Sequence, residues 1–304
     1  MKRPIALLLA LTLLCLLAPV SVAQDTWKNV ERIVAVGDVH GDFDQFVITL
    51  RAAKVINDKN DWTAGKTHLV QCGDVLDRGP DSRKAMDLLM KLEAQAAKAG
   101  GAVHALIGNH EAMVVMGDWR YVSQAEIDAF GGRRQYRDAM SAKGKYGKWL
   151  RSLNTVIKVN DILFVHAGLT PEVAKKSIAE INKTVRKELD NGDPRGLVND
   201  PDGPIWTRKL ALGDEDDIAP QLDQVLKLLK ASHIVIGHTV ETEGVITRAD
   251  GRLIRIDVGM SACYGGPAAC LVVEKGIFYE VRHPDKKRKL DIKTPAKKAP
   301  VPAN

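Results

Sequence analysis

A chain of 304 residues with 45% hydrophobic content is long enough for a domain with a sizeable core and is ordinary for a folded globular protein. Its formal charge of +6 comes from its ends. Lys2 and Arg3 lead the chain and residues 285–304 carry seven Lys and Arg against Asp285 and Asp291, so the body between is close to neutral and offers no basic groove for nucleic acid.

The positive start, the apolar run from Ile5 to Ala18 and the small residues Ser21-Val22-Ala23 read as a signal peptide over 1–23, cleaved after Ala23. The run is short for a membrane span, so an exported chain, periplasmic or secreted, with no stable membrane insertion is expected. In an oxidising compartment Cys263 and Cys270 are close enough in sequence to pair, whereas Cys72, inside an apolar run, reads as a buried thiol.

Ile33 to Val36 is a short apolar run ending in Gly37, a buried strand; Asp42 to Lys54 carries helical periodicity through Phe43, Phe46, Val47 and Leu50. His68 to Gln71 is a second strand, Ser82 to Lys98 a helix, and Val103 to Ile107 a third strand. This alternation implies an α/β fold with parallel strands and crossover helices, whose functional loops follow the carboxyl ends of one sheet. Residues 112–153 are helical in composition, broken at Gly131-Gly132, Gly144 and Gly147, and read as a cap inserted over the site. Ile162 to Val165 is a strand, Pro171 to Asp190 a helix, Pro220 to Leu229 a helix and His233 to Ile236 a strand. Short strands from Gly244 to Val281 suggest a second, antiparallel-rich sheet. Residues 284–304, rich in Lys, Pro and Ala, read as a disordered basic tail that leaves the folded domain spanning 24–283.

Five of these segments place a chemically active side chain at or just past a strand end: Gly37-Asp38-Val39-His40-Gly41, Gly73-Asp74-Val75-Leu76-Asp77-Arg78-Gly79, Gly108-Asn109-His110-Glu111, His166-Ala167-Gly168 and Gly237-His238. Asp38 and His40, two apart in a loop, can face one cation. Asp74 can bridge two, one through each carboxylate oxygen. Asn109, His166 and His238 supply neutral donors for the second. Mixed imidazole, carboxylate and amide donors suit two first-row divalent ions such as Mn, Fe or Zn better than calcium. Two such ions clamp an in-line displacement at phosphorus and generate a hydroxide nucleophile. Consistent with this, the chain holds no Gly-x-Ser-x-Gly elbow. His110, beside a ligand, suits a general acid; Asp77 can orient it; Arg78 offers a planar fork for phosphate, with Arg208 as a second clamp. Glu111 reads as a helix-capping or supporting carboxylate. Trp119, Arg120 and Tyr121 read as structural aromatics or as the wall of a pocket.

This motif set resembles the calcineurin-like metallophosphoesterases, in their phosphoprotein phosphatase branch. Gly117 to Val122 and Gly203 to Arg208 resemble the Shewanella-like protein phosphatases, a group that favours phosphotyrosine. The resemblance covers the chain from about Ile33 to the 270s. It implies a two-sheet β-sandwich flanked by helices with a helical cap. It also implies two divalent ions on Asp38, His40, Asp74, Asn109, His166 and His238, catalysis by His110 with Asp77, and phosphate binding by Asn109, Arg78 and Arg208. The expected activity is phosphomonoester hydrolysis on phosphorylated proteins, phosphotyrosine favoured. A dinucleoside polyphosphate hydrolase is the alternative and a catalytically silent phosphate-binding module the third reading. The sequence departs from the branch at His166-Ala167-Gly168, where His-Gly-Gly is usual, and at Ser261-Ala262-Cys263-Tyr264, where the serine/threonine enzymes carry Ser-Ala-Pro-Asn-Tyr.

Overall fold

Short runs of residues, in the central strands mostly β-branched and apolar, form the strands, and the computed structural model, which describes residues 24–293, arranges them in two six-stranded sheets. The leader read in residues 1–23 and the end of the tail, 294–304, lie outside the described residues. Among the described residues no helix is long and apolar enough to cross a membrane.

After β1 (Thr26–Trp27), the strands β2 (Arg32–Val36), β3 (His68–Gln71) and β4 (Ala102–Ala105) pair in parallel, linked through α1 (Phe43–Ala52) and α2 (Ser82–Lys98). Four helices follow: α3 (Asn109–Val115), α4 (Gln124–Ala129), α5 (Arg133–Met140) and α6 (Lys145–Ser152). Then β5 (Val156–Val159) and β6 (Ile162–Val165) form an antiparallel pair. The helix expected over Pro171 to Asp190 is two elements: a single 3₁₀ turn at Val173–Lys175, then α7 (Ile178–Asn191). Ser177 and Glu180 form a reciprocal capping box that starts α7 afresh, and Gly192 in the left-handed region ends it. After α8 (Lys209–Leu212), α9 (Glu215–Leu229) begins before Pro220 rather than at it. The strands β7 (His233–Ile236), β8 (Ile246–Arg248), β9 (Leu253–Arg255), β10 (Ala269–Glu274), β11 (Ile277–Arg282) and β12 (Lys286–Lys289) complete the chain.

One sheet has the order β12-β11-β10-β2-β3-β4, the other β1-β5-β6-β7-β9-β8. The strands from Gly244 to Val281 therefore do not make a sheet of their own. β8 and β9 extend the sheet of β6 and β7, while β10 lies antiparallel to β2, with Leu271 opposite Ala35. Both parallel cores thereby gain antiparallel flanks, and β2 has no open edge. The side chains of the β6 sheet alternate strictly. Phe164, Val235 and Ile254 face the large central core, while Leu163, Val165, Ile234 and Leu253 pack outward against Ile181, Leu222 and Val225 of α7 and α9.

The expectation of a tail disordered from residue 284 is overturned, and a pairing that the sequence leaves open is not made. The basic tail is ordered at its start: β12 pairs with β11, Lys287 binds Glu274 at 2.6 Å, and Arg288 binds the buried Glu280. Lys and Arg on an edge strand also discourage further pairing. The thiols of Cys263 and Cys270 do not pair. Cys270 points into the core from β10, while Cys263 sits exposed in the loop before it. A thiol-reactive dye should therefore modify Cys263 in the folded protein and Cys72 and Cys270 only on unfolding, and reductant should leave Tm unchanged; a fall in Tm with reductant would restore the disulfide.

Candidate active site

The carboxyl ends of β2, β3 and β4 in one sheet, and of β6 and β7 in the other, open onto the same rim. The site is built from both sheets, not from the edge of one as the strand pattern suggests. Two parallel cores abut there, so loops from each can reach a common point.

The loops approach closely enough to demand glycine. A Cβ on Gly108 would lie 2.2 Å from Asp74 Oδ1, and one on Gly237 would lie 2.4 Å from Asp38 Oδ1. The backbone is also forced: His40, Asp74, Asp77, Arg78 and His238 all have φ between 47° and 70°, a region non-glycine residues seldom occupy. The amides of Val39 and His40 both donate to the Asp74 carbonyl at 2.9 Å, clasping the first two loops.

Each aspartate spends one oxygen on this frame. Asp38 Oδ1 accepts from the His238 N–H and Asp74 Oδ1 from the His110 N–H, both at 3.0 Å. Asp74 thus offers one oxygen, Oδ2, to both halves of the site, instead of one oxygen to each. Around it stand Nε2 of His166 at 3.3 Å, of His40 at 3.8 Å and of His110 at 3.9 Å. His40 Nε2 is 3.9 Å from Asp38 Oδ2, while His166 Nε2 is 2.9 Å from Asn109 Oδ1 and 3.1 Å from His238 Nδ1.

Backbone carbonyls set the tautomers. His40 Nδ1 donates to the Leu76 carbonyl at 3.0 Å, His166 Nδ1 to Cys72 at 2.8 Å and His238 Nε2 to Trp206 at 3.1 Å. The opposite ring nitrogen of each is left as a lone pair aimed inward. Burial lowers the pKa of His40 to about 4 and that of His238 to about 3, so both rings stay neutral. Burial and the nearby Asp257 and Asp74 hold Asp38 well above the usual carboxylate range. Burial also opposes ionisation of Asp74, but His166, His110 and His40 outweigh it and draw its pKa well down. The centre gathers carboxyl oxygens, an amide oxygen and inward-facing imidazole nitrogens around Asp74 Oδ2, a donor set that fits cations. Two groups share Asp74: His40, Asp74 and His110, and Asp74, His166 and His238.

His110 Nδ1 donates to Asp77 Oδ2 at 2.7 Å while its Nε2 faces the centre. Arg78 is exposed at the rim, its guanidinium 5.1 Å from the Tyr121 ring and 5.4 Å from that of Tyr264. Arg208 turns the other way, donating to the His238 carbonyl and to Thr239 Oγ1, both at 2.9 Å; it braces the His238 loop. Cys72 and Arg78 stand at the Cys-x5-Arg spacing of cysteine-based tyrosine phosphatases. The fold rules that chemistry out: Cys72 is fully buried and burial pushes its thiol up.

Two buried acids carry more of the site than the motifs suggest. Asp257, two residues past the end of β9 just as Asp38 is two past the end of β2, lies beside Asp38, and burial lifts its pKa to about 6. That strand-then-acid pattern is the signal that could have found it. Glu111 accepts from four backbone amides, those of Asp74, Val75, Leu76 and Gly108, at 2.7 to 3.1 Å. It is the anchor of the Asp74 loop, not merely a helix cap. Glu111→Ala should destabilise the protein by roughly 3–5 kcal/mol in denaturant titration, because four buried donors lose a charged partner; a change under about 1 kcal/mol would show that the loop holds its shape without Glu111.

With the geometry established, comparison with known proteins is informative. Residues 31–241 match the calcineurin-like phosphoesterase family. An uncharacterized protein of Schizosaccharomyces pombe is 36% identical over 80% of this chain and 77% of its own length. Shewanella-like protein phosphatase 1 of Plasmodium berghei is 32% identical over 78% of this chain and 69% of its own. The crystal structure of a cold-active protein-tyrosine phosphatase from a psychrophilic Shewanella superposes with a TM-score of 0.78 at 29% identity, covering 88% of this chain and 83% of that one. The two-sheet fold, the five ligand-bearing loops and these matches make the chain a member of the calcineurin-like phosphoesterase family.

Proposed function

We propose that this chain is a phosphomonoesterase that uses two divalent cations to hydrolyse phosphorylated proteins, with phosphotyrosine preferred. The observation that carries this reading is the convergence of carboxyl, amide and imidazole donors on Asp74 Oδ2 beside a further imidazole, His110, whose outer nitrogen is tied to Asp77. The phosphatase names of the similar proteins support the substrate class, and the tyrosine phosphatase among the structural matches supports the preference.

Asp38, His40 and Asp74 would hold one cation, and Asp74, Asn109, His166 and His238 the other; Mn, Fe and Zn suit this donor set. Bound there, the pair supplies Lewis acidity, withdrawing charge from the phosphoryl oxygens and acidifying water. The side chains do the rest. Arg78, held between two tyrosine rings at the rim, takes phosphoryl oxygens with its planar fork. The Asn109 amide nitrogen is a second donor toward them. His110 Nε2 gives its proton to the leaving oxygen, and Asp77 stabilises the cationic ring and fixes its orientation. Burial opposes charging His110, but Asp74 and Asp77 outweigh it and raise its pKa, which suits an acid. Tyr121, 5.2 Å from the His110 ring, puts the segment 112–153 at the mouth of the site, in keeping with a cap that selects substrate. The basic start and apolar run of residues 1–23 support export.

Chelation should abolish turnover of a phosphotyrosine peptide and lower Tm, both restored by Mn, Fe or Zn. In the reloaded protein His110→Ala should reduce kcat by about 10²- to 10⁴-fold with KM little changed. Near-normal turnover in His110→Ala would remove the acid role. Faster hydrolysis of a dinucleoside tetraphosphate than of the phosphopeptide would favour the anhydride reading.

A further inference from the structure

Asp77 and Arg78 sit in a strained turn, with φ of 70° and 68°. Three contacts from the inserted segment 112–153 meet that turn. The Arg78 amide donates to the Tyr121 carbonyl at 3.0 Å, Ser123 Oγ donates to the Gly79 carbonyl at 3.1 Å, and the carboxyl of Glu126, from α4, lies against Asp77, near both its backbone N–H and its carboxyl. Glu126 and Asp77 are both wholly buried. Glu126 Oε2 accepts from Ser82 Oγ at 2.8 Å. Three buried polar atoms nearby have no hydrogen-bond partner: Asp77 Oδ1, Glu126 Oε1 and the Tyr136 hydroxyl, which faces Glu126.

We infer that Glu126 is a positioning residue for the acid pair, a protonated carboxyl that supplies Asp77 Oδ1 with the donor it lacks and so aims Asp77 Oδ2 at His110. Two carboxylates side by side away from water do not both ionise. Asp77, paired with an imidazole, keeps the charge; Glu126, raised to about 8 by burial and by Asp77, keeps the proton. Tyr136 then donates to Glu126, and no atom of the trio is orphaned. The inserted helices are thereby joined to the catalytic pair through one buried contact. This inference rests on His110 acting as the acid in the proposed reaction.

A proton donor matters most when the leaving group is poor, so the test compares p-nitrophenyl phosphate, a good leaving group, with phenyl phosphate, a poor one, on metal-loaded protein. Glu126→Ala should lower kcat on phenyl phosphate about tenfold or more and on p-nitrophenyl phosphate less than about threefold, with KM and metal content unchanged. Glu126→Gln, uncharged and of the same shape, should stay within about threefold of the parent on both. If Glu126→Ala does not fold, Glu126→Asp, one methylene too short, should show the same selective loss. Equal losses on both esters, or none, would overturn the inference. His110→Ala serves as the reference: a selective loss there without one at Glu126 sinks only this inference, while an unselective loss at His110 sinks the acid reading on which it depends.

Discussion

Electrostatic crowding around Asp74 Oδ2 governs this molecule. Three imidazole nitrogens approach that oxygen within 3.9 Å, and the Asn109 carbonyl and the Asp38 carboxylate stand just behind them. Carboxylate oxygens and ring nitrogens held this close repel one another unless positive charge, from a proton or a cation, lies among them. The folded protein accepts that repulsion, together with left-handed backbone at His40, Asp74 and His238, because the rest of the chain over-determines the loops. Glu111 with its four amide donors, the clasp of Val39 and His40 on the Asp74 carbonyl, and Arg208 on the His238 carbonyl each hold one part. Cations at the centre turn the repulsion into binding energy.

The two sheets explain how such a site is assembled from distant segments. Each sheet brings parallel strands to one rim, where loops end in view of each other; the antiparallel flanks β8 and β10 to β12 cover one side of each parallel core. Strand alternation in the β6 sheet leaves one face for the shared core and one for α7 and α9, so the rim rests on a filled interior. Packing rigidity is what lets loops with unfavourable backbone keep their geometry.

The chemically active segments were legible because their signal is local. An apolar strand followed by glycine and an acid, amide or imidazole can be read over five residues, and the structure brings nine of the ten named residues together on these loops, with Arg208 bracing the His238 loop beside them. Nothing local to Arg208 distinguishes a phosphate clamp from a loop brace; it stands beside the site, donating to the His238 carbonyl and Thr239 Oγ1. What failed was non-local. Leu271 pairs with Ala35 across most of the chain, so the membership of β10 in the first sheet has no sequence signature. The same holds for β12, whose pattern of Lys and Arg is that of a tail until Glu280 and Glu274 are placed beneath it. Asp74 Oδ1 held by the His110 amide, Cys270 facing the core and Glu126 meeting Asp77 are likewise products of tertiary approach.

The central claim is that Asp74 would serve both of two cations. Elemental analysis of the purified chain and of its Asp74→Asn variant, each equilibrated with excess Mn or Zn and then desalted, tests it most directly. Two equivalents per chain in the parent and less than one in the variant are expected. A parent that retains no metal, or a variant that retains two equivalents, would contradict the account.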